Sequence, residues 1–296
     1  MKETVPQRLA YRGFWAAEQL ARRLPERAGS RLFRWAGLVA YHLMPKKRVI
    51  VVANQAQVLG RAPGDPLVAA STRRAFLLYG RYWHESFRAV DLPDSEIRRR
   101  VRATGVEHLE AALAAGRGAI LAVPHMGNWD VAGRWLDILG MPVVSVAERL
   151  EPERLFRLFL RHREALGMRI IGLEAGSGVG RQLGRMLQDE NAAVALVADR
   201  DLSGSGLEVE MFGRTRRIPL GPAALALRTG APLLPAGLYT LPGGWGVVIC
   251  PPIEYEPVGD RRADVEALTR ALAREFETRI SAAPADWHLF EPGWPA

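Results

Sequence analysis

Ala119-Ile120-Leu121-Ala122-Val123 is an unbroken apolar run that delivers Pro124-His125-Met126-Gly127-Asn128-Trp129-Asp130 at its end. A short apolar run of this length reads as a strand buried on both faces. In an open α/β sheet, the loop leaving the carboxyl end of such a strand is where ligands and reacting groups gather. An imidazole and a carboxylate at that exit therefore bear on both the fold and the chemistry. Gly127 gives the turn a permissive backbone, and Asn128 can cap the helix that follows. On a single helix, residues five apart lie about 140° from one another. His125 and Asp130 can thus meet only if the first sits in the loop and the second in the first helical turn. Asp130 could then hold one ring nitrogen and leave the other to take a proton from a hydroxyl.

The same pattern recurs outward from this stretch. Apolar runs that predict strands lie at 118–123, 142–146, 168–172, 193–198, 233–240 and 246–250. Helical periodicity predicts intervening helices at 106–115, 128–139, 151–165, 178–188, 221–229 and 262–281. Strands alternating with helices imply an α/β fold whose central sheet is mainly parallel and flanked by helices. Gly244-Trp245-Gly246 reads as a turn between two antiparallel edge strands. Ahead of this core, residues 1–95 read as helices at 6–24, 27–43, 47–59 and 66–89, punctuated by Pro25, Pro45, Pro63 and Pro66. With no internal repeat and no low-complexity linker, we expect one domain over 1–296. Its helical front would cover 1–95 and its α/β core 96–296.

Two further strand ends carry ionisable groups. Val194 to Ala198 leads into Asp199-Arg200-Asp201, and Val143 to Ala147 leads into Glu148-Arg149. Each could be a structural ion-pair cluster, but three charged strand ends point to one shared site. Other chemistries lack their signatures. No G-x-S-x-G elbow surrounds Ser177 or Ser205, and Gly176-Ser177-Gly178-Val179-Gly180 fits neither a dinucleotide fingerprint nor a P-loop, which leaves it as a flexible connection. The six histidines show no metal-ligand spacing, and Cys250 is alone, so neither a metal site nor a disulfide framework is expected.

Charge is unevenly spread. Residues 1–105 hold 20 Lys and Arg against 8 Asp and Glu, whereas the rest holds 20 against 24. Leu9, Ala16, Leu20 and Leu24 share one side of the first helix, with Arg8, Tyr11, Arg12, Trp15 and Arg22 crowding another sector. Leu32, Trp35, Val39 and Leu43 form a stripe beside Arg27, Arg31 and Arg34 in the second. Such helices either pack on the core or dock on an anionic membrane surface. Early arginines interrupt every apolar run, so neither a secretory signal nor a membrane span is expected. Nucleic acid fits the charge, but no recognition motif accompanies it.

Several segments together resemble the H-x4-D acyltransferases of glycerolipid and lipid A synthesis, and within them the branch that acylates phosphatidylinositol mannosides in actinobacteria. They are Tyr82 to Arg88, His125 to Asp130, Val146 to Leu150, Arg161 to Gly167, Ala198 to Leu202, Phe212-Gly213 and Pro284 to His288. The resemblance implies a glycerolipid-acyltransferase-like fold and a fatty acyl transfer, typically palmitoyl, from acyl-CoA to the 6-hydroxyl of a mannose. It further implies peripheral attachment at the cytoplasmic face of the plasma membrane and no cofactor. By resemblance His125 is the general base, Asp199 its acidic partner, and Asp130 the motif's second member. Glu148, Arg163 and Arg200 match positions lining a head-group pocket, and Asn128 is expected among the substrate-binding residues. Asp199 stands where relatives carry Glu, which leaves open whether Asp130 or Asp199 orients the ring, and Met126 replaces a common Ser. A Glu-Gly-Thr-Arg element typical of the glycerolipid branch does not occur. Arg214, Arg216 and Arg217 are candidates for a basic lip toward the phosphates of the donor.

Overall fold

The computed structural model describes residues 3–173, 178–202 and 204–294. Four helices come first: α1 (Val5–Arg23), α2 (Glu26–Leu43), α3 (Pro45–Leu59) and α4 (Pro66–Ala89). Local chemistry sets their ends. The Thr4 side chain accepts the Gln7 amide while the Gln7 side chain accepts the Thr4 amide, a reciprocal cap that starts α1. Asp65 accepts the Leu67 amide at 2.8 Å just ahead of Pro66, and Gly60 closes α3 in the left-handed conformation. Close packing of α2 on α4 depends on Gly37 and Gly80. A Cβ on either would overlap a backbone carbonyl of the other helix.

The core then runs α5 (Asp94–Arg100), β1 (Val101–Thr104), α6 (Val106–Ala114), β2 (Ala119–Val123), α7 (Trp129–Ile138), β3 (Val143–Glu148), α8 (Glu153–Ala165) and β4 (Arg169–Leu173). It continues with α9 (Val179–Glu190), β5 (Ala193–Val197), β6 (Leu207–Met211), β7 (Arg214–Ile218), α10 (Gly221–Thr229), β8 (Leu233–Leu241), β9 (Gly244–Ile249) and α11 (Arg261–Ala282). A single 3₁₀ turn at Pro284–Asp286 follows.

Seven strands form one sheet in the order β1-β9-β8-β2-β5-β3-β4, parallel throughout except where β8 meets β9. β2 lies in the middle, and all five of its residues are buried, as its apolar run requires. Full burial of a side chain such as Ile120 contributes about 1.5–3 kcal/mol, so this strand anchors the core. Its register with β5 pairs Val123 with Val197. The chain then takes two residues past each strand end, to His125 on one side and Asp199 on the other.

Three features depart from the sequence reading. Gly244-Trp245-Gly246 belongs to β9, not to a turn, and Leu241 pairs with Gly244 so that Pro242-Gly243 makes the hairpin. β9 is also no edge, because β1 pairs along its outer side. Residues 207–218 form a separate two-stranded hairpin, β6 with β7, whose inward residues Val209, Met211, Arg216 and Ile218 are buried. The 178 end of the predicted connection 176–180 caps α9 as Gly178, while 176 and 177 lie outside the described residues.

The stripes on the two leading helices face outward. Leu9, Trp15, Trp35 and Leu43 are 62%, 49%, 62% and 74% exposed, and Arg8, Arg12, Arg27, Arg31 and Arg34 are exposed beside them. What these helices bury is a different set: Glu18 and Ala21 on α1, and Gly29, Phe33 and Gly37 on α2. Among the described residues no helix is long and apolar enough to cross a membrane.

Candidate active site

The loop after β2 is held at three points by the segment 286–288 that follows α11. Met126, fully buried, bridges antiparallel to Trp287, the Gly127 amide donates to the Asp286 carbonyl at 3.0 Å, and the His288 amide donates to the His125 carbonyl at 2.6 Å. Gly127 has φ of 59°, and a Cβ there would overlap the Leu238 carbonyl on β8, so only glycine fits. Asn128 caps α7 by accepting the Val131 amide at 3.1 Å, and its amide group donates to the Tyr82 carbonyl at 3.4 Å. It is 4% exposed with its side chain committed to these bonds. It therefore shapes the turn that carries His125.

His125 sits in the loop and Asp130 in the first turn of α7, as helix geometry demands, yet the two do not pair. The ring Nδ1–H of His125 donates to Asp199 Oδ1 at 2.5 Å instead. Trp287 Nε1 donates to the other Asp199 oxygen at 2.7 Å, and the Arg216 guanidinium donates to the Asp199 backbone carbonyl at 2.5 Å. Asp199 is fully buried. Burial alone would raise its pKa, but the neighbouring His125, its hydrogen bond, the Arg216 charge and the Trp287 indole together hold it well below the carboxylate range. With Nδ1 engaged, Nε2 is the nitrogen left to accept a proton.

Asp130 lies in another network. Tyr82 donates to it at 2.8 Å, Ser86 at 2.6 Å, and Arg163 at 3.1 Å, with His162 Nε2 placed 3.0 Å from the Ser86 hydroxyl. Burial opposes its ionisation, but Arg163 and His162, then the two hydroxyls, outweigh it and lower its pKa. The aspartate of the H-x4-D motif thus ties α4 and α8 to the start of α7 and fixes Arg163. Next to it, the Glu85 carboxylate on α4 takes the Trp245 indole N–H at 2.7 Å and the Arg81 guanidinium at 2.5 Å.

Two clefts converge on His125, Trp83, Trp129 and Arg200. One, of 660 Å³, runs between β3, α8, α9 and α10. Glu148, Arg163 and Arg200 all line it, with Arg228 and Arg261 further along, and its remaining walls are largely apolar. The other, of 730 Å³, runs between α1, α2 and α4 past Phe14, Gly37 and Phe76. Arg200 is paired with Glu291 at 2.5 Å. Of the expected basic lip, none of Arg214, Arg216 and Arg217 lines either cleft. Arg216 is buried behind Asp199, and Arg217 pairs with Glu208 at 3.0 Å. Trp287 and the Tyr82–Ser86 pair escaped the sequence reading as individual site residues, although the quoted segments Tyr82 to Arg88 and Pro284 to His288 contain them. Arg216 was singled out, but for a donor-facing lip and not for its place behind Asp199.

The α/β sheet presents an imidazole, braced by a buried acid, where two apolar-walled clefts join, and such an arrangement can take a proton from a hydroxyl brought beside an apolar chain. Residues 5–295 match the model of the bacterial lipid A biosynthesis acyltransferases, and the chain belongs to that family and is an acyltransferase. It is 41% identical over 293 residues to the phosphatidylinositol mannoside acyltransferase of Mycobacterium tuberculosis, covering 97% of this chain and 88% of that one. The protein of the same name from Mycolicibacterium smegmatis is 38% identical over 286 residues, covering 96% and 91%.

Proposed function

We propose that this acyltransferase moves a fatty acyl group, palmitoyl-like in length, from acyl-CoA to the mannose 6-hydroxyl of a phosphatidylinositol mannoside. The observation that carries the reading is His125, held by Asp199 through Nδ1 and lining both clefts, so that two large substrates can reach one base. His125 Nε2 takes the hydroxyl proton as the mannose oxygen bonds to the thioester carbon. The C–S bond then breaks, and the imidazolium returns its proton to the departing thiolate, giving ester and free thiol with no covalent enzyme intermediate and no cofactor. Amides at the start of α7, where the helix dipole is positive, stabilise the oxyanion. Glu148, Arg163 and Arg200 supply polar contacts for the sugar and its phosphate, and the apolar walls suit the alkyl chains.

The test supplies purified protein with palmitoyl-CoA or palmitoyl acyl carrier protein, each with a phosphatidylinositol mannoside or a lipid A precursor. Ester formation is expected only with the CoA thioester and the mannoside. A preference for the carrier-protein donor and the lipid A precursor would overturn the reading. Free palmitate released as fast without acceptor would mark a thioesterase instead.

We also propose peripheral attachment to the anionic cytoplasmic face of the plasma membrane through α1 and α2, whose exposed Trp15, Trp35 and Leu43 stand among arginines. Vesicles containing anionic lipid should bind the protein, less so as salt rises, and a Trp15→Ala/Trp35→Ala variant should lose most of that binding. Equal binding to neutral vesicles in high salt would count against it.

A further inference from the structure

We propose that Arg216 is a positioning residue for the reaction: from the β6–β7 hairpin it fixes the Asp199 end of the His125–Asp199 pair and places a permanent positive charge behind it. The inference rests on the general-base reading of His125. It uses a residue that touches neither cleft.

The geometry is unusual for an arginine. Arg216 is 4% exposed, on a short hairpin otherwise rich in outward charge. One terminal nitrogen donates to the Asp199 carbonyl, while Nε and the other terminal nitrogen find no hydrogen-bond partner. Its guanidinium carbon instead lies 5.2 Å from the Trp294 ring centroid and 5.4 Å from that of Trp287, the indole that itself donates to Asp199. Leaving two buried guanidinium nitrogens unpaired costs free energy that an apolar residue of similar length would avoid. A purely structural filler between two indoles would be Met or Leu. What only a cation adds is its field on the carboxylate and imidazole.

That field has a readable sign. Behind the pair stand Arg216 from β7 and His288 from the segment after α11. In front, the clefts that His125 lines also hold Tyr82 from α4, Glu148 from β3, Arg163 from α8, Arg200 and Asp201 after β5, Lys47 from α3 and Glu291. Arg163 is paired with Asp130. Burial pushes His288 down to about 3, so it stays neutral. Arg200, the next residue after Asp199, is balanced by Glu291. Arg216 is therefore the cation that stands directly behind the Asp199 carboxylate. Its positive charge works with the Trp287 indole to keep the Asp199 carboxylate ionised as the partner of the imidazole N–H, so its loss moves that ionisation to higher pH.

Arg216→Met should leave the KM for donor and acceptor unchanged, lower kcat about tenfold, and move the acidic limb of kcat upward by on the order of one pH unit. Arg216→Lys, which restores the charge, should return the limb toward its original position. The titration of the His125 imidazole, followed by NMR without substrate, should shift in the same direction. It reads Arg216 even if the acceptor is not a mannoside. Arg216→Gln, which keeps a donor for the Asp199 carbonyl, gives the same neutral comparison should the methionine chain fold poorly. A neutral variant with an unmoved limb and unmoved imidazole titration would overturn the proposal. So would a lysine variant whose limb matches the methionine one.

Discussion

Replacing His125 with alanine is expected to lower kcat by about 10²–10⁴-fold, the range for loss of a general base, while the fold survives. The side chain is partly exposed, at 23%, and its one hydrogen bond is to Asp199. The loop is held by backbone bonds from Trp287, His288 and Asp286 that the variant keeps. Steady-state transfer assays alongside thermal melts check this, and a folded His125→Ala chain with full transfer rates would remove the imidazole from the mechanism. Asp199→Asn should fall in the same direction, because a carboxamide no longer fixes the ring with Nδ1 protonated.

Asp130→Ala should act differently, through stability. Removing the carboxylate strands the Arg163 guanidinium, the Tyr82 hydroxyl and Ser86 without their shared acceptor. The cost should be about 3 kcal/mol, the low end for breaking a buried ion pair, since Arg163 keeps some contact with the cleft. Denaturant unfolding measures it, and a loss under about 1 kcal/mol would show the network to be dispensable. The pH dependence has a defined sign. Because folding lowers the Asp130 pKa, its stabilisation is fully present above the unfolded carboxylate value and is lost as pH falls through the folded one. The gap between wild type and Asp130→Asn should therefore narrow below about pH 4.

Much of the frame was legible in its short apolar runs. Five apolar residues at 119–123, bounded by Gly118 and Pro124 and too few for an ordinary helix, read as a fully buried strand, and the loop that follows inherits its place at the sheet's end. Segments built on alternation were harder. Leu207-Glu208-Val209-Glu210-Met211 alternates apolar residues with glutamates, and Arg214-Thr215-Arg216-Arg217-Ile218 buries an arginine beside Ile218, so neither forms an apolar run. Asp94–Arg100 and Val101–Thr104 are short and arginine-rich, and only packing against β9 defines the strand. Proximity in sequence misled about the acid. Asp130 is five residues from His125 yet turns into α4 and α8, whereas Asp199, 74 residues away, arrives through strand pairing. No periodicity within a segment reports a register between two of them.

That register carries a corollary for how such enzymes can drift in length. Val123 opposite Val197 serves as a common ruler mark, and the base and its acid each stand two steps beyond it. Spacers anywhere between α7 and α9 can grow or shrink without disturbing the pair. One residue gained or lost at Pro124 or Ala198 would pull the imidazole and carboxylate out of step, even in a protein that still folds.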